Sequence, residues 1–530
     1  MYKRVAASYF SLLLVFSALI VNVFLIGYKV QASPSSYTAN KRSVILSESR
    51  GMIYDCNMKK LVNTEEKYVT VCLPTAKALN DVLPYISQES RNSLYENMAN
   101  GKASVVRTEK NFDESDIKTV SEITRYSENQ LCAHIIGHLD ENGKGAMGLE
   151  KAYNSYLDMQ SGTLKAQWEV DALGHTLYGD GIQIVNESYL SPAGIQLTID
   201  ADIQRIAEDV LKEFSIGKGA AVVMNADTSE ILASASFPSF TPLKLEEALN
   251  NPDSPFVNRA AAPYSVGSVF KPFVAAAALE NNINLDINCS GIINVGSTVF
   301  GCSNYTAHGA VNMDTAMQKS CNSYFIVLGQ KAGSENIINL CSSMGFGKTA
   351  ELADNYYLKS GNLPSAESIT SPQALANLSF GQGELTASPI QMAAAYSAFA
   401  NGGIYRPPTL MKGIINDEGE AIQRVRLPEG CRVMSKSTAA EIDKFLKNVV
   451  TDGNGNKAFS EFTDNHGKTA TAQSGWFDGE REITHTWFCG YFHHNKTTYT
   501  AVILKEDGSS GAADCAPIFK EMSERIAELI

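Results

Sequence analysis

The chain has 530 residues, 44% of them hydrophobic and 19% charged, with 44 basic against 57 acidic side chains and a formal net charge of -13. That length buries more than one core, which predicts two domains plus additional segments, and the hydrophobic share excludes a disordered chain. The acidic balance argues against nucleic acid or another polyanion as partner, since either would meet repulsion over most of the surface.

Val5 to Tyr28 carries no charged residue, with Lys3 and Arg4 before it and Lys29 after it. As a helix rising about 1.5 Å per residue, this run reaches about 36 Å, enough to cross a hydrocarbon core of about 30 Å. Lys3 and Arg4 predict a cytoplasmic tail over residues 1–4, a transmembrane anchor over 5–28, and everything beyond outside the cytoplasm. Val30-Gln-Ala32 also resembles a signal-peptide cleavage site, but the apolar run is long for a signal core, which favours an uncleaved anchor. Residues 29–45 are small and polar, as a linker should be. Residues 46–190 mix turn signals with short strand-like runs such as Lys67–Cys72 and hold no concentrated catalytic pattern.

All ten cysteines follow the anchor, in a compartment that permits disulfides. Cys289 and Cys302 bracket a short glycine-bearing stretch and read equally well as a hairpin staple or as reduced buried thiols. No Cys-x-x-Cys occurs and the spacings match no zinc motif, so neither a metal nor a cofactor is expected. His134 and His138 have zinc-ligand spacing, but Ile135 stands where a metalloprotease needs glutamate, so packing is the expected role.

Over residues 191–530 the apolar runs lengthen. A helical pattern covers Ala207 to Phe214, and strands are expected at 219–224 and 230–235 around the turn 225–229. Two more are expected at 484–492 and 498–504, followed by a helix over 516–530 with Ile518, Phe519, Met522, Ile526 and Leu529 on one face. An antiparallel meander closed by a terminal helix is an α+β layout.

GKTA is written twice, at Gly347–Ala350 and Gly467–Ala470. A phosphate loop would need glycine where Ser342 and Phe462 stand, so nucleotide binding is disfavoured for both. The first copy follows a helical run ended by Gly345 and Gly347 and reads as a helix exit with Lys348 near the negative helix end. The second opens the meander.

Ser268 and Lys271 stand three apart at the head of an alanine-rich helix, on one face and within mutual reach. A lysine held close to a serine hydroxyl in a dry site can lose its proton and act as base, and a helix amino terminus favours the developing oxyanion. Ser-x-x-Lys alone is common: Ser115/Lys118 and Ser215/Lys218 match it too. Ser-x-Asn recurs as well, at Ser127/Asn129 and Ser334/Asn336. More specific is the ordered set GSVFKP at 267–272, KSCNSYF at 319–325 and HGKTATAQ at 466–473 followed by THTWFCGYF.

That ordered set resembles the Ser-x-x-Lys, Ser-x-Asn and Lys-Thr-Gly motifs of class B penicillin-binding proteins, membrane-anchored D,D-transpeptidases without a glycosyltransferase domain. Arg50–Asp55 and Gly148–Tyr153 resemble that family's amino-terminal module. Leu197–Gln204, Phe380–Gly383 with Ala400–Gly403, and Ala516–Phe519 resemble its transpeptidase domain. The resemblance implies an α+β transpeptidase domain, an antiparallel five-stranded sheet flanked by helices, over 191–530. It also implies an elongated mixed pedestal or dimerisation-like module over 46–190, one transmembrane helix and no cofactor. The implied activity is serine acyl transfer from D-Ala-D-Ala stem peptides of peptidoglycan, inhibited covalently by β-lactams, with a SEDS-type glycan polymerase and other cell-wall proteins as partners and no nucleic acid. The alternatives are a hydrolytic D,D-carboxypeptidase or β-lactamase, against which the large amino-terminal module argues, and a non-enzymatic β-lactam sensor or wall scaffold.

The implied roles are Ser268 as nucleophile, Lys271 as its base, Ser320 as proton relay and Asn322 as holder of substrate backbone or of Lys271. Lys468 would face the substrate carboxylate and, by repulsion, keep Lys271 neutral. Thr469 would bond the carboxylate, and the N–H groups of Ser268 and Thr471 would form the oxyanion hole. Ala470 departs from the usual glycine, which at a strand edge would serve close approach of substrate or of the Ser268 helix; its methyl group is the smallest intrusion there and bears on pocket width and β-lactam affinity more than on catalysis.

Overall fold

The computed structural model describes residues 2–32, 40–177 and 181–529. Tyr2–Ala32 is a single helix whose segment Ala6–Leu25 has mean hydropathy 2.2, long and apolar enough to cross a membrane. Part of the expected linker, 33–39, lies outside the described residues.

The remainder divides into two compact units, each built from several stretches of chain. One comprises residues 1–49, 66–123 and 162–189; the other comprises 50–65, 124–161 and 190–530. In the first, Asn40–Ser49, Gly162–Val170 and Gln183–Glu187 form a three-stranded antiparallel sheet. A second three-stranded sheet is centred on Glu65–Cys72, the strand legible from its β-branched run. Leu46, Val69, Val71, Ala166 and Trp168 make a core there.

The second unit is organised by five strands, β1 (Gly219–Asn225), β2 (Ile231–Phe237), β3 (Asp464–Asp478), β4 (Arg481–His494) and β5 (Thr497–Glu506). Their order is β2-β1-β5-β4-β3, antiparallel throughout, with β3 at an edge. Its helices of note are α1 (Ala201–Glu213), α2 (Lys271–Glu280), α3 (Asn322–Ala332), α4 (Pro389–Ala400), α5 (Lys436–Thr451) and α6 (Ala516–Leu529). Period-two alternation sorts the strand side chains into two layers. Ala221, Val223, Phe488, Phe492 and Ile503 pack under α1 and α6, against Ile203, Val210, Phe519 and Met522. Val222, Met224, Trp487, Tyr491 and Val502 face α2, α4 and α5.

α2 and α4 are buried on all sides, which their small residues Ala275–Ala278 and Ala393–Ala395 permit by letting neighbouring backbones come close. Asp200 caps α1 by accepting from Asp202 N and Ile203 N, so the helix starts at Ala201, earlier than the apolar period starting at Ala207 predicts. β4 likewise starts at Arg481, because the β3–β4 hairpin extends past the hydrophobic run and pairs Phe477 with Glu482.

Candidate active site

Ser268 is half-buried in the 3-10 turn Gly267–Phe270 that feeds α2. The turn is held from three directions. Gly267 N donates to Gly381 O at 2.8 Å, Tyr396 OH to Val269 O at 2.7 Å, and Trp487 Nε1 to Ser265 O at 3.0 Å. The fit leaves no room for side chains at the two glycines: a Cβ on Gly381 would lie 2.0 Å from Gly267 O, and one on Gly267, where φ is +60°, would lie 2.9 Å from Ala472 Cβ. The Ser268 turn thus rests directly on β3.

Lys271 opens α2 fully buried. Its ammonium nitrogen donates to Ser320 O at 2.7 Å, Asn322 Oδ1 at 2.7 Å and Ser320 Oγ at 3.1 Å. Lys468, also fully buried, donates to the same Ser320 Oγ at 3.1 Å and to Thr469 O at 3.0 Å. Ser320 has φ +54°, an uncommon conformation for a residue other than glycine, and this aims both of its oxygens at Lys271. Asn322 starts α3 and is oriented by its own donation to Gly301 O at 2.9 Å. Lys271, Ser320, Asn322 and Lys468 therefore form one hydrogen-bonded cluster. Ser268 lies a helical turn from Lys271, and its Oγ makes no hydrogen bond among the described residues.

Burial drives the Lys271 pKa down from 10.5 to about 7, partly opposed by the negative charge that Cys321 and Cys302 carry as thiolates. Lys468 is pushed well below its ordinary value, first by burial and then by the charge of Lys271. Desolvation is thus the leading cause for both amines, and the mutual repulsion falls on Lys468, whereas the sequence-based expectation has it acting on Lys271.

Thr469 is buried and donates from Oγ1 to Asn454 Oδ1 at 3.2 Å. Asn454 N in turn donates to Gln318 O, tying β3 to the segment that leads into Ser320. Thr471 is exposed, and its Oγ1 accepts from Gly511 N at 3.3 Å. Ala470 is only 4% exposed, and its methyl group lies 3.4 Å from where a Cβ on Gly267 would stand. It packs beneath the Ser268 turn. A cavity of about 540 Å³ adjoins the cluster, lined by Gly301, Asn322, Gln382, Gln473 and Glu482 among others. A larger one, about 1180 Å³, lies between the 59–64 and 127–131 segments, α1 and 237–241, and contains none of the motif residues.

The competing motif copies go elsewhere. Lys118 and Lys218 pair with Asp113 and Asp253. Lys348 of the first GKTA is exposed after the helix Ser334–Ser343, behind Gly345 and Gly347 at φ +83° and +69°. His134 is buried, with Nε2 2.6 Å from Pro255 O and its ring edge-on to Phe240. Tyr396, Trp487 and Asn454 are supports that sequence reasoning missed; the two aromatics read as ordinary core, and Asn454 as one residue of a polar loop.

Comparison with known proteins gives a consistent picture. The profile of the penicillin binding protein transpeptidase domain matches residues 219–524, more than half of the chain. Penicillin-binding protein PbpB of Mycolicibacterium smegmatis is 29% identical over 442 residues, covering 76% of this chain and 64% of that protein. The probable peptidoglycan D,D-transpeptidase FtsI of Caulobacter vibrioides is 30% identical over 367 residues, covering 66% and 53%. The chain thus spans less than two thirds of the length of either relative. Among solved structures, a chain from one described as the structural coordination of polymerization and crosslinking by a peptidoglycan synthase complex aligns with a TM-score of 0.70 at 22% identity, covering 98% of both chains.

Proposed function

The chain belongs to the penicillin-binding protein transpeptidase family, and from that membership we propose that it cross-links peptidoglycan stem peptides by serine acyl transfer. The observation that carries the reading is the buried pair of amines sharing Ser320 Oγ, one turn from Ser268.

A neutral Lys271 has two N–H groups, which match its two shortest contacts, Ser320 O and Asn322 Oδ1. Its lone pair is left to take the proton of Ser268 as Oγ attacks the penultimate D-alanine carbonyl. The oxyanion that forms would accept from the backbone N–H groups of Ser268 and Thr471, where losing one donor typically costs about 100- to 1000-fold in rate. Collapse breaks the peptide C–N bond; Ser320, whose Oγ accepts from Lys468, passes its proton to the departing D-alanine amine and is reprotonated by the Lys271 ammonium 3.1 Å away. An amine of a second stem peptide then attacks the acyl carbonyl, and its surplus proton returns through Ser320 and Lys271 to Ser268 Oγ as the ester C–O bond breaks. Lys468 and Thr469 would hold the terminal carboxylate, and the free edge of β3 would pair with the extended peptide. A β-lactam would acylate the same oxygen, its ring C–N bond breaking in place of the peptide bond.

In this reading Tyr2–Ala32 crosses the membrane once, with the catalytic unit outside the cytoplasm and residues of the 46–190 region as its pedestal. A SEDS-type glycan polymerase is the proposed partner, supported by the similar fold of the chain from the synthase complex. The experiment is covalent labelling of the full-length chain with fluorescent penicillin. Ser268→Ala is expected to abolish it with melting unchanged, and labelling that survives would remove Ser268 as nucleophile. A stem-peptide thioester with and without a D-amino-acid acceptor separates transfer from hydrolysis: product insensitive to acceptor would favour a carboxypeptidase.

A further inference from the structure

Immediately behind the Ser320–Asn322 loop, three thiols and an imidazole converge. Cys289 Sγ lies 3.7 Å from Cys302 Sγ and 3.6 Å from His308 Nδ1, and Cys302 Sγ lies 3.8 Å from Cys321 Sγ. All four ligand atoms fall within 4.8 Å of one another, and the three cysteines are buried. We propose that Cys289, Cys302, His308 and Cys321 bind one zinc ion, which fixes the loop carrying Ser320 and Asn322.

The distances are those a tetrahedral site demands. With Zn–S near 2.3 Å and Zn–N near 2.0–2.1 Å, neighbouring sulfurs stand about 3.8 Å apart and sulfur and nitrogen about 3.6 Å. A disulfide requires about 2.05 Å, roughly half the separations seen. The surroundings suit thiolates: Gly291 N donates to Cys289 Sγ at 3.4 Å, and Tyr324 N donates to Cys321 Sγ at 3.5 Å as the helix cap of α3. The scaffold brings the ligands in from separate segments. Ile287–Cys289 pairs with Gly309–Val311, setting His308 beside Cys289, while Cys302 follows the hairpin 292–301. Sequence separations of 13 and 19 residues replace the short pairs of familiar zinc motifs, which is why spacing alone predicts no metal. Three thiolates with one imidazole select zinc over hard cations. Cys321 sits between Ser320 and Asn322, so zinc binding, which takes all three cysteines as thiolates, anchors the two residues that accept from Lys271.

The test uses the full-length chain in detergent, purified without chelator, with zinc counted by elemental analysis and cysteine pairing read by mass spectrometry under alkylation. One zinc per chain and no disulfide among the three cysteines are expected, and cobalt exchanged into the site should show thiolate charge-transfer and tetrahedral absorption bands. His308→Ala should weaken zinc by more than the about 10- to 100-fold typical of outer-shell changes, and Cys302→Ser should abolish it. Chelation should slow penicillin labelling at least tenfold and zinc should restore it. Ser268→Ala should keep its zinc, so failure of the metal site and failure of the acyl-transfer reading are separate outcomes. Reduced wild-type protein that takes up no zinc, zinc retained unchanged in both variants, or a native disulfide between Cys302 and either neighbour would overturn the proposal.

Discussion

Acylation by a β-lactam should rise with pH through about 7 and then level off, because the Lys271 pKa is lowered from 10.5 to about 7 by complete burial. Only the neutral amine can take the Ser268 proton, so the rate constant should fall tenfold per unit below that value, to about 100-fold under its plateau at about pH 5. The sign for stability is fixed by the same shift. The unfolded lysine holds its proton up to about pH 10.4 while the folded one loses it above about 7. The native state therefore carries a penalty that is full below about pH 7 and vanishes as pH rises toward 10.4, of order 5 kcal/mol at about 1.4 kcal/mol per unit. Lys271→Met removes that penalty but strips donors from Ser320 O and Asn322 Oδ1, at about 1–3 kcal/mol each. The two effects nearly cancel, so the variant should melt within a few degrees of the parent while labelling falls by about 1000-fold or more. Stopped-flow acylation with fluorescent penicillin from pH 5 to 9, with calorimetry on the variant, reads both quantities. A flat profile across that range, or a Lys271→Met protein that keeps a tenth of its labelling, would refute the base assignment; loss of labelling together with the fold would make Lys271 a structural group.

Ala470→Gly removes a buried methyl from beneath the nucleophile turn and should cost about 1–2 kcal/mol of stability, with acylation changed less than about threefold. A tenfold faster acylation at unchanged melting temperature would mean that the methyl narrows the cleft itself. Gly267→Ala combines strain at φ +60° with contact on Ala472, so its stability loss should exceed that of Gly402→Ala, at φ +77° with nothing within 4 Å; equal losses would dismiss the steric part. Asn454→Ala frees the Thr469 hydroxyl and should weaken β-lactam binding before acylation more than the acylation step, measured as the ratio of the two constants; an effect on the chemical step alone would move Asn454 out of carboxylate recognition.

The strands β1, β2, β4 and β5 were legible as short apolar runs bounded by turn residues, since both faces of their sheet are buried, and the helices α1 and α6 by an apolar period near 3.6 residues. The motif residues were legible because their ordered set, GSVFKP, KSCNSYF and HGKTATAQ, resembles that of class B penicillin-binding proteins, where each short motif alone is common. Packing decided what local pattern does not encode. From its motif position Ala470 reads as facing either substrate or the Ser268 helix, and the structure sets its methyl group under Gly267, because which neighbour a strand residue meets depends on what packs across that face. Lys271 is an ordinary lysine in sequence, and its pKa falls to about 7 only when α2 is enclosed, because desolvation is a property of the surrounding volume. The thiol and imidazole cluster behind Ser320 belongs to the same class: its ligands arrive from distant segments, and only the folded chain measures the distances among them.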